Sequence, residues 1–527
     1  VKKRISKVIS LTVIIAMLSA CGSMQVPDIT DAAETNTNNL NEKVEESVVI
    51  SLEGNSASSD SDYVLIDEDS IEITGIGSYK LVGDYNGQIR INTEEEGQVQ
   101  LILAGVNLTN NSDAPIYIEQ ADEPVITVLQ DTNNKIEDTS VYLEEEAEDL
   151  GIERTNGAIY SKEDLVINGT GDLTITTSDK TAILSKDDLI VYDVILSIVA
   201  GRNGIKGNDL VHISGATLDI QAKQKGIQSD ILVDIKSGTI QVNSIDDSIH
   251  SNDTVLIQSG NITLTTEDDG VHADQILQID SGVILIEDSY EGLEAKDIII
   301  NDGEVTINAS DDGVNATDGS TEMLGRGDMM EGKTYDFGLH INGGILSINS
   351  YGDGLDSNGN VWMTGGKLII SGPINNGNGS LDYNGTFEMT GGDLVAVGSS
   401  GMLQTPSQVS TINTMVIGFD SAMNAGVKIR ITNETEETLV ELLPEKAFES
   451  LIYSSIDLQV GKSYNVYIND ELYTSIELTD TITTFGTTGG IGSGPQNGRQ
   501  KGERPSWIEG EIPLHPNGED PLELPQE

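Results

Sequence analysis

The chain has 527 residues, with 28 Lys and Arg against 87 Asp and Glu and a formal net charge of −59. That excess repels nucleic acid and anionic lipid surfaces, and it suits cations, neutral polymers or anions bridged by cations. Much of the charge lies in tails and loops, where it also keeps an extracellular protein soluble. A single cysteine, Cys21, excludes an internal disulfide framework and a cysteine-based zinc knuckle.

Lys2, Lys3, Arg4 and Lys7 precede an apolar run from Val8 to Leu18 that ends Leu18-Ser19-Ala20-Cys21-Gly22. A basic flank, a short apolar stretch and small residues spell a secretory leader, too short to span a bilayer comfortably. The ending resembles a bacterial lipobox, in which the cysteine is acylated. The expectation is a leader over residues 1–21, lipidation at Cys21, and an extracellular protein held to the membrane by lipid alone. Residues 22–61 are rich in Asn, Glu, Ser, Thr and Asp, too polar to offset the entropy of ordering, and read as a disordered tether.

From residue 62 the chain alternates apolar and polar residues, as in Ile71-Glu72-Ile73 and Gln88-Ile89-Arg90-Ile91. Such alternation predicts strands. Repeat length is irregular at first, as expected of atypical first turns that hide an exposed edge. The alternation lapses in Glu144 to Asp149, read as a surface loop. Further on, the pattern recurs about every 22 residues from Gly204, Gly226, Ser248, Gly270, Gly292 and Gly313. A period of this length marks a solenoid.

Within each repeat the second residue is apolar (Ile205, Ile227, Ile249, Val271), followed by pairs such as Val211/Ile213 and, after a Ser-Gly turn, Leu218/Ile220. No 3.6-residue periodicity competes with this alternation, and no fixed Leu framework marks a leucine-rich repeat. The prediction is an all-β, right-handed parallel β-helix over 62–406. Roughly ten coils at ~4.8 Å each make a rod of about 50 Å. Residues 317–338 interrupt it as a loop that includes Arg326, Lys333 and an Arg326-Gly327-Asp328 tripeptide of chance character. Residues 407–487 read as a small C-terminal antiparallel β-domain. Residues 488–527, rich in Gly, Pro and charge around Trp507, read as a disordered tail.

The repeat turns charge into a column. The residue before each start is Asn203, Lys225, Asp247, Asp269, Glu291, Asp312, Asp353 and Asn376, and the third residue is Lys206, Gln228, His250, His272, Glu294, Asn315 and Asp356. Asp246, Asp268 and Asp311 add second carboxylates. Stacked at ~5 Å, each carboxylate pair costs about 0.8 kcal/mol in water and about 3 kcal/mol at an effective dielectric near 20. Hard oxygen donors in clusters suit Ca²⁺. The candidate metal ligands are Asp247, Asp268, Asp269, Glu291, Glu294, Asp311, Asp312, Asp353 and Asp356. His250 and His272 offer either transition-metal ligands or ion-pair partners. Against a metal stands the alternative of a solvated acidic edge with Asp-Gly as turn chemistry. No Gly-x-Ser-x-Gly, phosphate loop, EF-hand spacing or His-Glu-x-x-His is present.

Several stretches together carry a resemblance: Asp269-Gly270-Val271-His272-Ala273-Asp274, Tyr290-Glu291-Gly292-Leu293-Glu294-Ala295-Lys296, Asp311-Asp312-Gly313-Val314-Asn315-Ala316, Gly352-Asp353-Gly354-Leu355-Asp356-Ser357 and Gly377-Asn378-Gly379-Ser380-Leu381-Asp382-Tyr383. In these the chain resembles bacterial carbohydrate-binding lipoproteins with a right-handed parallel β-helix, similar to calcium-dependent pectate lyases. The resemblance implies Ca²⁺ near the acidic coils and an acidic plant polysaccharide, polygalacturonate or pectin, as ligand.

Three functions follow. A calcium-dependent binding module would use Tyr290, Lys296, Asn315, Tyr351 and Tyr383 against sugar, the tyrosines otherwise filling gaps in turns. A calcium-dependent polysaccharide lyase would need a Lys or Arg base beside the metal, for which Lys296 is the first candidate and Arg326 and Lys333 are others. A structural adhesin would need no sugar. Lys206, Lys223 and Lys225 depart from the acidic pattern, and contact a uronate directly if they contact ligand at all. A monomer is expected.

Overall fold

The computed structural model describes residues 46–140, 155–319 and 335–488. The leader, Cys21, the Glu-rich stretch after residue 143, Arg326, Lys333 and the C-terminal tail lie outside them. Within the described residues the chain is all β: a parallel β-solenoid of about 14 turns and a small antiparallel sheet.

Most turns carry three strands, while Val271–Ile279 and Leu293–Ile300 each run through two of the three ladders. In one three-strand turn the strands are Ile205–Gly207, Leu210–Ser214 and Ala216–Ala222. Each pairs in parallel with its counterpart in the next turn, Ile227–Ser229, Leu232–Ile235 and Gly238–Ser244. Three ladders therefore run the length of the rod. The first stacks Ile205, Ile227, Ile249, Val271, Leu293, Val314 and Leu355, all fully buried. The second stacks Val211, Val233, Val255, Leu277, Ile298, Leu339 and Val361. The third stacks Leu218, Ile240, Ile262, Ile284, Val305, Leu346 and Leu368. β-branched and Leu side chains at every second position fill a continuous interior, each buried side chain contributing about 1.5–3 kcal/mol.

Glycine at the repeat start has a steric cause. A Cβ on Gly292 would lie 2.3 Å from the Gly313 carbonyl oxygen and 2.3 Å from Ile307 Cγ2. At the turn into the third ladder, Gly282 and Gly303 adopt φ of +106° and +101°, which L side chains avoid.

The structure corrects three sequence expectations. Val48–Gly54, inside the stretch read as tether, is a strand paired in parallel with Gly77–Asn86. The solenoid thus starts earlier and has more turns than the ten expected. Short antiparallel pairings, Val48–Gly54 with Ala57–Ser58 and Val64–Ile66 with Ser70–Ile73, lie among these first strands.

At the other end the antiparallel region is divided. Phe448–Ser455 pairs with the last-coil strand Asp393–Gly398 and with Asn413–Met423, so both extend the solenoid sheet. Only Ile429–Thr432, Thr438–Leu442, Ser463–Ile468 and Glu471–Glu477 form the separate sheet. Phe419, Ile429, Ile431, Phe448, Tyr464 and Val466 give this region its own core.

Candidate functional site: an acidic edge in register

The acidic corners lie over one another. On the first ladder the outward residues Lys206, Gln228, His250, His272, Glu294, Asn315, Asp356 and Asp382 pair one to the next. At the preceding corner, the amide N–H that opens each turn donates to the carbonyl of the next acidic residue. Gly226 donates to Asp247, Ser248 to Asp269, Gly270 to Glu291, Gly292 to Asp312 and Gly313 to Asp353, at 3.0–3.1 Å. Gly354 donates instead to Gly379, so Gly379 and not Asn376 continues the column. One position earlier, Tyr290 N–H donates to the Asp268 carbonyl, Asp311 to Tyr290 and Gly352 to Asp311.

Charge divides this edge in two. In the earlier turns the carboxylates have cationic partners. Lys225 Nζ lies 2.8 Å from Asp246 Oδ1 and 2.5 Å from Asp247 Oδ2. His250 Nδ1 lies 2.8 Å from Asp247 Oδ2. His272 Nδ1 lies 3.2 Å from Asp269 Oδ2 and 3.4 Å from Glu294 Oε2. Burial would raise the Asp247 pKa, but His250 and Lys225 outweigh it and hold it below the usual carboxylate range. Burial would likewise lower His272, yet Asp269, Glu294 and Asp247 push it up to about 9.

In the later turns carboxylates face carboxylates. Ligand oxygens of Asp312, Asp353 and Asp356 all lie within 4.8 Å of one another. Burial, then the carboxylates of Asp312, Asp353, Asp382 and Asp311, raise the Asp356 pKa well above its ordinary value. Glu291 is raised by burial and by Glu294 and Asp269. Asn315 Nδ2 donates to Glu291 Oε2 at 2.8 Å, while the buried Asn315 Oδ1 has no hydrogen-bond partner. In the next turn, the Oδ1 of buried Asn378 is also unpartnered. A Cβ on Gly352 would lie 2.3 Å from Asp312 Oδ1 and 2.5 Å from Asp311 Oδ1, so glycine leaves room for both carboxylates. Clustered carboxylates with a buried amide oxygen lacking a donor are a donor set for a hard cation.

The other sequence candidates separate. Tyr290 sits in the edge, and its hydroxyl pKa is raised by burial and by its hydrogen bond to Asp311. Tyr351 is 56% exposed one residue before Gly352. Tyr383 was expected at the sugar, but it is a core residue. It is buried, its hydroxyl donates to the Thr405 carbonyl at 2.7 Å, and its ring meets Phe387 edge-on. Lys296 stands two positions beyond Glu294, past the inward Ala295, and Asp297 is its neighbouring charge. No ion pair joins Lys296 to the acidic cluster among the described residues.

Two features went unread in the sequence. Lys446, nearly 100 positions from Tyr351, is buried, donates from Nζ to the Ser350 carbonyl and lies 4.6 Å from the Tyr351 ring centroid. Burial lowers its pKa to about 8. No local signal marks it. At a different corner, Asp164, Asp187 and Asp188 converge within 4.8 Å. Burial, then Asp164, Asp187 and Asp209, raises Asp188 to about 7. That second cluster had a signal, since Asp164 and Asp188 each follow a small Ser-initiated turn.

A parallel β-solenoid with one acidic edge in register is thus the class of protein defined here. The chain belongs to the family of carbohydrate-binding domain-containing proteins, whose matches cover residues 67–335, 226–377 and 268–435. A carbohydrate-binding domain-containing protein of Acetivibrio thermocellus is 35% identical over 129 residues, covering 24% of this chain and 44% of that relative. The chain therefore matches less than half the length of that relative. A polysaccharide lyase-like protein from C. thermocellum, solved as a gadolinium derivative, has a TM-score of 0.41 and 30% identity, covering 44% of this chain and 96% of that one.

Proposed function

We propose that this protein binds an acidic polysaccharide of the polygalacturonate or pectin type through Ca²⁺ held on the later half of the acidic edge. The observation that carries the reading is the convergence of Asp312, Asp353 and Asp356 within 4.8 Å. Asp311, Asn315 and Glu291 stand around them. A uronate polymer alone would be repelled by a chain of charge −59. A divalent ion shared between protein and sugar carboxylates removes that repulsion. Asp312, Asp353 and Asp356 hold the ion, and Asn315 supplies a neutral oxygen. Tyr290 and Tyr351 offer ring faces to sugar.

The earlier half of the edge, with Asp247 and Asp269 already paired to Lys225 and the two histidines, plays a lesser part in Ca²⁺ binding. Binding without bond cleavage is the favoured reading, in keeping with the carbohydrate-binding family to which the chain belongs. Acylation of Cys21 would hold the protein outside the cell.

Retention on insoluble polygalacturonate, with Ca²⁺ and with chelator, tests this reading. Retention that depends on Ca²⁺ is expected, with no rise in the absorbance of unsaturated uronate products. Equal retention on unrelated neutral polymers, or retention indifferent to chelator, sinks it. A Cys21→Ala variant should be released into the medium if the anchor is lipid.

A further inference from the structure

We propose that the earlier half of the edge holds a second, chemically different metal site, in which Asp247, His250 and His272 bind a divalent first-row transition metal of the Zn²⁺ type. Their ligand atoms all lie within 4.8 Å of one another, and His272 shares a second such group with Asp269 and Glu294. The two imidazoles sit on successive turns with ring centroids 5.0 Å apart, placed by the pairing of His250 with His272.

The orientation of the rings points to a metal. His250 Nδ1 faces Asp247, His272 Nδ1 faces Asp269 and Glu294 of the adjoining group, and each Nε2 faces an acceptor outside both. His250 Nε2 lies 2.8 Å from Asn252 Oδ1, and His272 Nε2 lies 3.3 Å from Asp274 Oδ1. The Asn252 amide is oriented by its own Nδ2, which donates to Asp230 Oδ1 at 3.4 Å. A neutral imidazole donates from one nitrogen only. With the proton held at Nε2 by these outer acceptors, each Nδ1 is left to offer its lone pair to a cation among the carboxylates.

One divalent ion would draw on the Asp247 carboxylate and both imidazoles, whose ligand atoms converge here. Holding the far N–H of a ligating histidine with a carboxylate or carbonyl is the usual outer support of such sites. The position two residues after each histidine, Asn252 or Asp274, supplies that support. Imidazole nitrogen selects borderline transition metals, whereas the all-oxygen cluster at Asp312 favours hard ions. His272 is only partly buried, with 24% of its side chain exposed, which leaves an entry path. On binding, Lys225 keeps Asp246 as its partner.

The test uses the whole chain, first saturated with Ca²⁺ so that hard-ion sites are filled. Co²⁺ is then titrated in, followed by its visible d–d absorption, and Zn²⁺ is added as competitor. Uptake of Co²⁺ that Zn²⁺ displaces is expected in the native chain and in Asp312→Asn, and should be lost in His250→Gln with His272→Gln. Asn252→Ala removes no ligand and should weaken Co²⁺ binding by roughly 10- to 100-fold. Absence of Co²⁺ uptake by the Ca²⁺-loaded protein, or equal uptake by the histidine variant, overturns the proposal. Should the histidine variant melt early, Asn252→Ala decides, and unchanged affinity there overturns it too. The Ca²⁺ reading stands or falls separately, on stabilisation by Ca²⁺ alone and its loss in Asp312→Asn.

Discussion

The backbone N–H of Asp353 donates to Asp312 Oδ1 at 2.5 Å, although the two residues are 41 positions apart. The same link recurs where Gly379 N–H reaches Asp353 Oδ1 at 2.5 Å, and more loosely where Asp269 N–H reaches Asp247 Oδ1 at 3.3 Å. Asp247, Asp312 and Asp353 are thus each tied to the following turn by a backbone hydrogen bond to a carboxylate oxygen, the stronger kind when that carboxylate is ionised. These bonds offset part of the repulsion between stacked carboxylates without removing any charge.

Asp312→Asn keeps the acceptor oxygen for Asp353 and deletes one charge from the cluster. Without divalent ions the variant should be more stable than the native protein by about 1–3 kcal/mol, the scale of one close carboxylate pair. With Ca²⁺ the order should reverse, because only the native chain gains from the ion. Calorimetric melting with chelator and with Ca²⁺ measures both. An unchanged Ca²⁺ shift in the variant would show that the ion sits elsewhere.

Gly352 tests the same cluster by volume instead of charge. A methyl group there falls within 2.5 Å of both the Asp311 and Asp312 carboxylate oxygens. Gly352→Ala must displace them, at a cost of about 1–3 kcal/mol for overpacking, and the Ca²⁺-induced rise in melting temperature should shrink or vanish. Full retention of that rise would mean that the two carboxylates are not ligands.

The pH dependence follows from groups whose shifts share one sign. His272 is raised from 6.5 to about 9, so its contribution to stability is complete below about pH 6.5 and is lost as pH rises through 9. Asp356 and Glu291 are raised as carboxylates. Their protonated forms favour the fold below about pH 4, and this benefit fades as pH climbs through their folded values. Asp247 is lowered and acts oppositely, but only on acidification below the usual carboxylate range. In chelator, the melting temperature should therefore fall from about pH 5 to pH 9, and His272→Gln should flatten the upper part of that fall. A flat profile in chelator would contradict the stacking of charge described above.

Much of this was legible beforehand because a solenoid converts sequence position directly into spatial position. The inward stack from Ile205 to Val314 and the outward one from Lys206 to Asp356 are the repeat read twice, once for each face of a strand. What escaped lacked a periodic signal. Val48–Gly54 is one strand in a polar stretch, and its partner Gly77–Asn86 is recognisable only once the coil exists. Gly379 displaced Asn376 because the loop from Pro373 to Asn378 adds residues to that corner. The neutralisation of Asp247 depends on how far Lys225 reaches, which spacing does not encode. Lys446 enters from another part of the chain altogether.

Tyr351 and Tyr383 were equivalent candidates in the sequence and are opposites in the structure. Tyr383 donates its hydroxyl to Thr405 in the core, so Tyr383→Phe should cost about 1 kcal/mol of stability, the net worth of a buried hydrogen bond, and leave polysaccharide retention unchanged. Tyr351 is 56% exposed over the buried Lys446, one residue before Gly352. Tyr351→Ala should leave the melting temperature and its Ca²⁺ response nearly unchanged, while weakening retention on polygalacturonate roughly five- to tenfold, about 1–1.4 kcal/mol. Measuring melting and retention on both variants separates a ring that packs from a ring that binds. The assignment of Tyr351 to the ligand fails if its loss leaves retention intact, because the exposed ring then has no part in holding sugar.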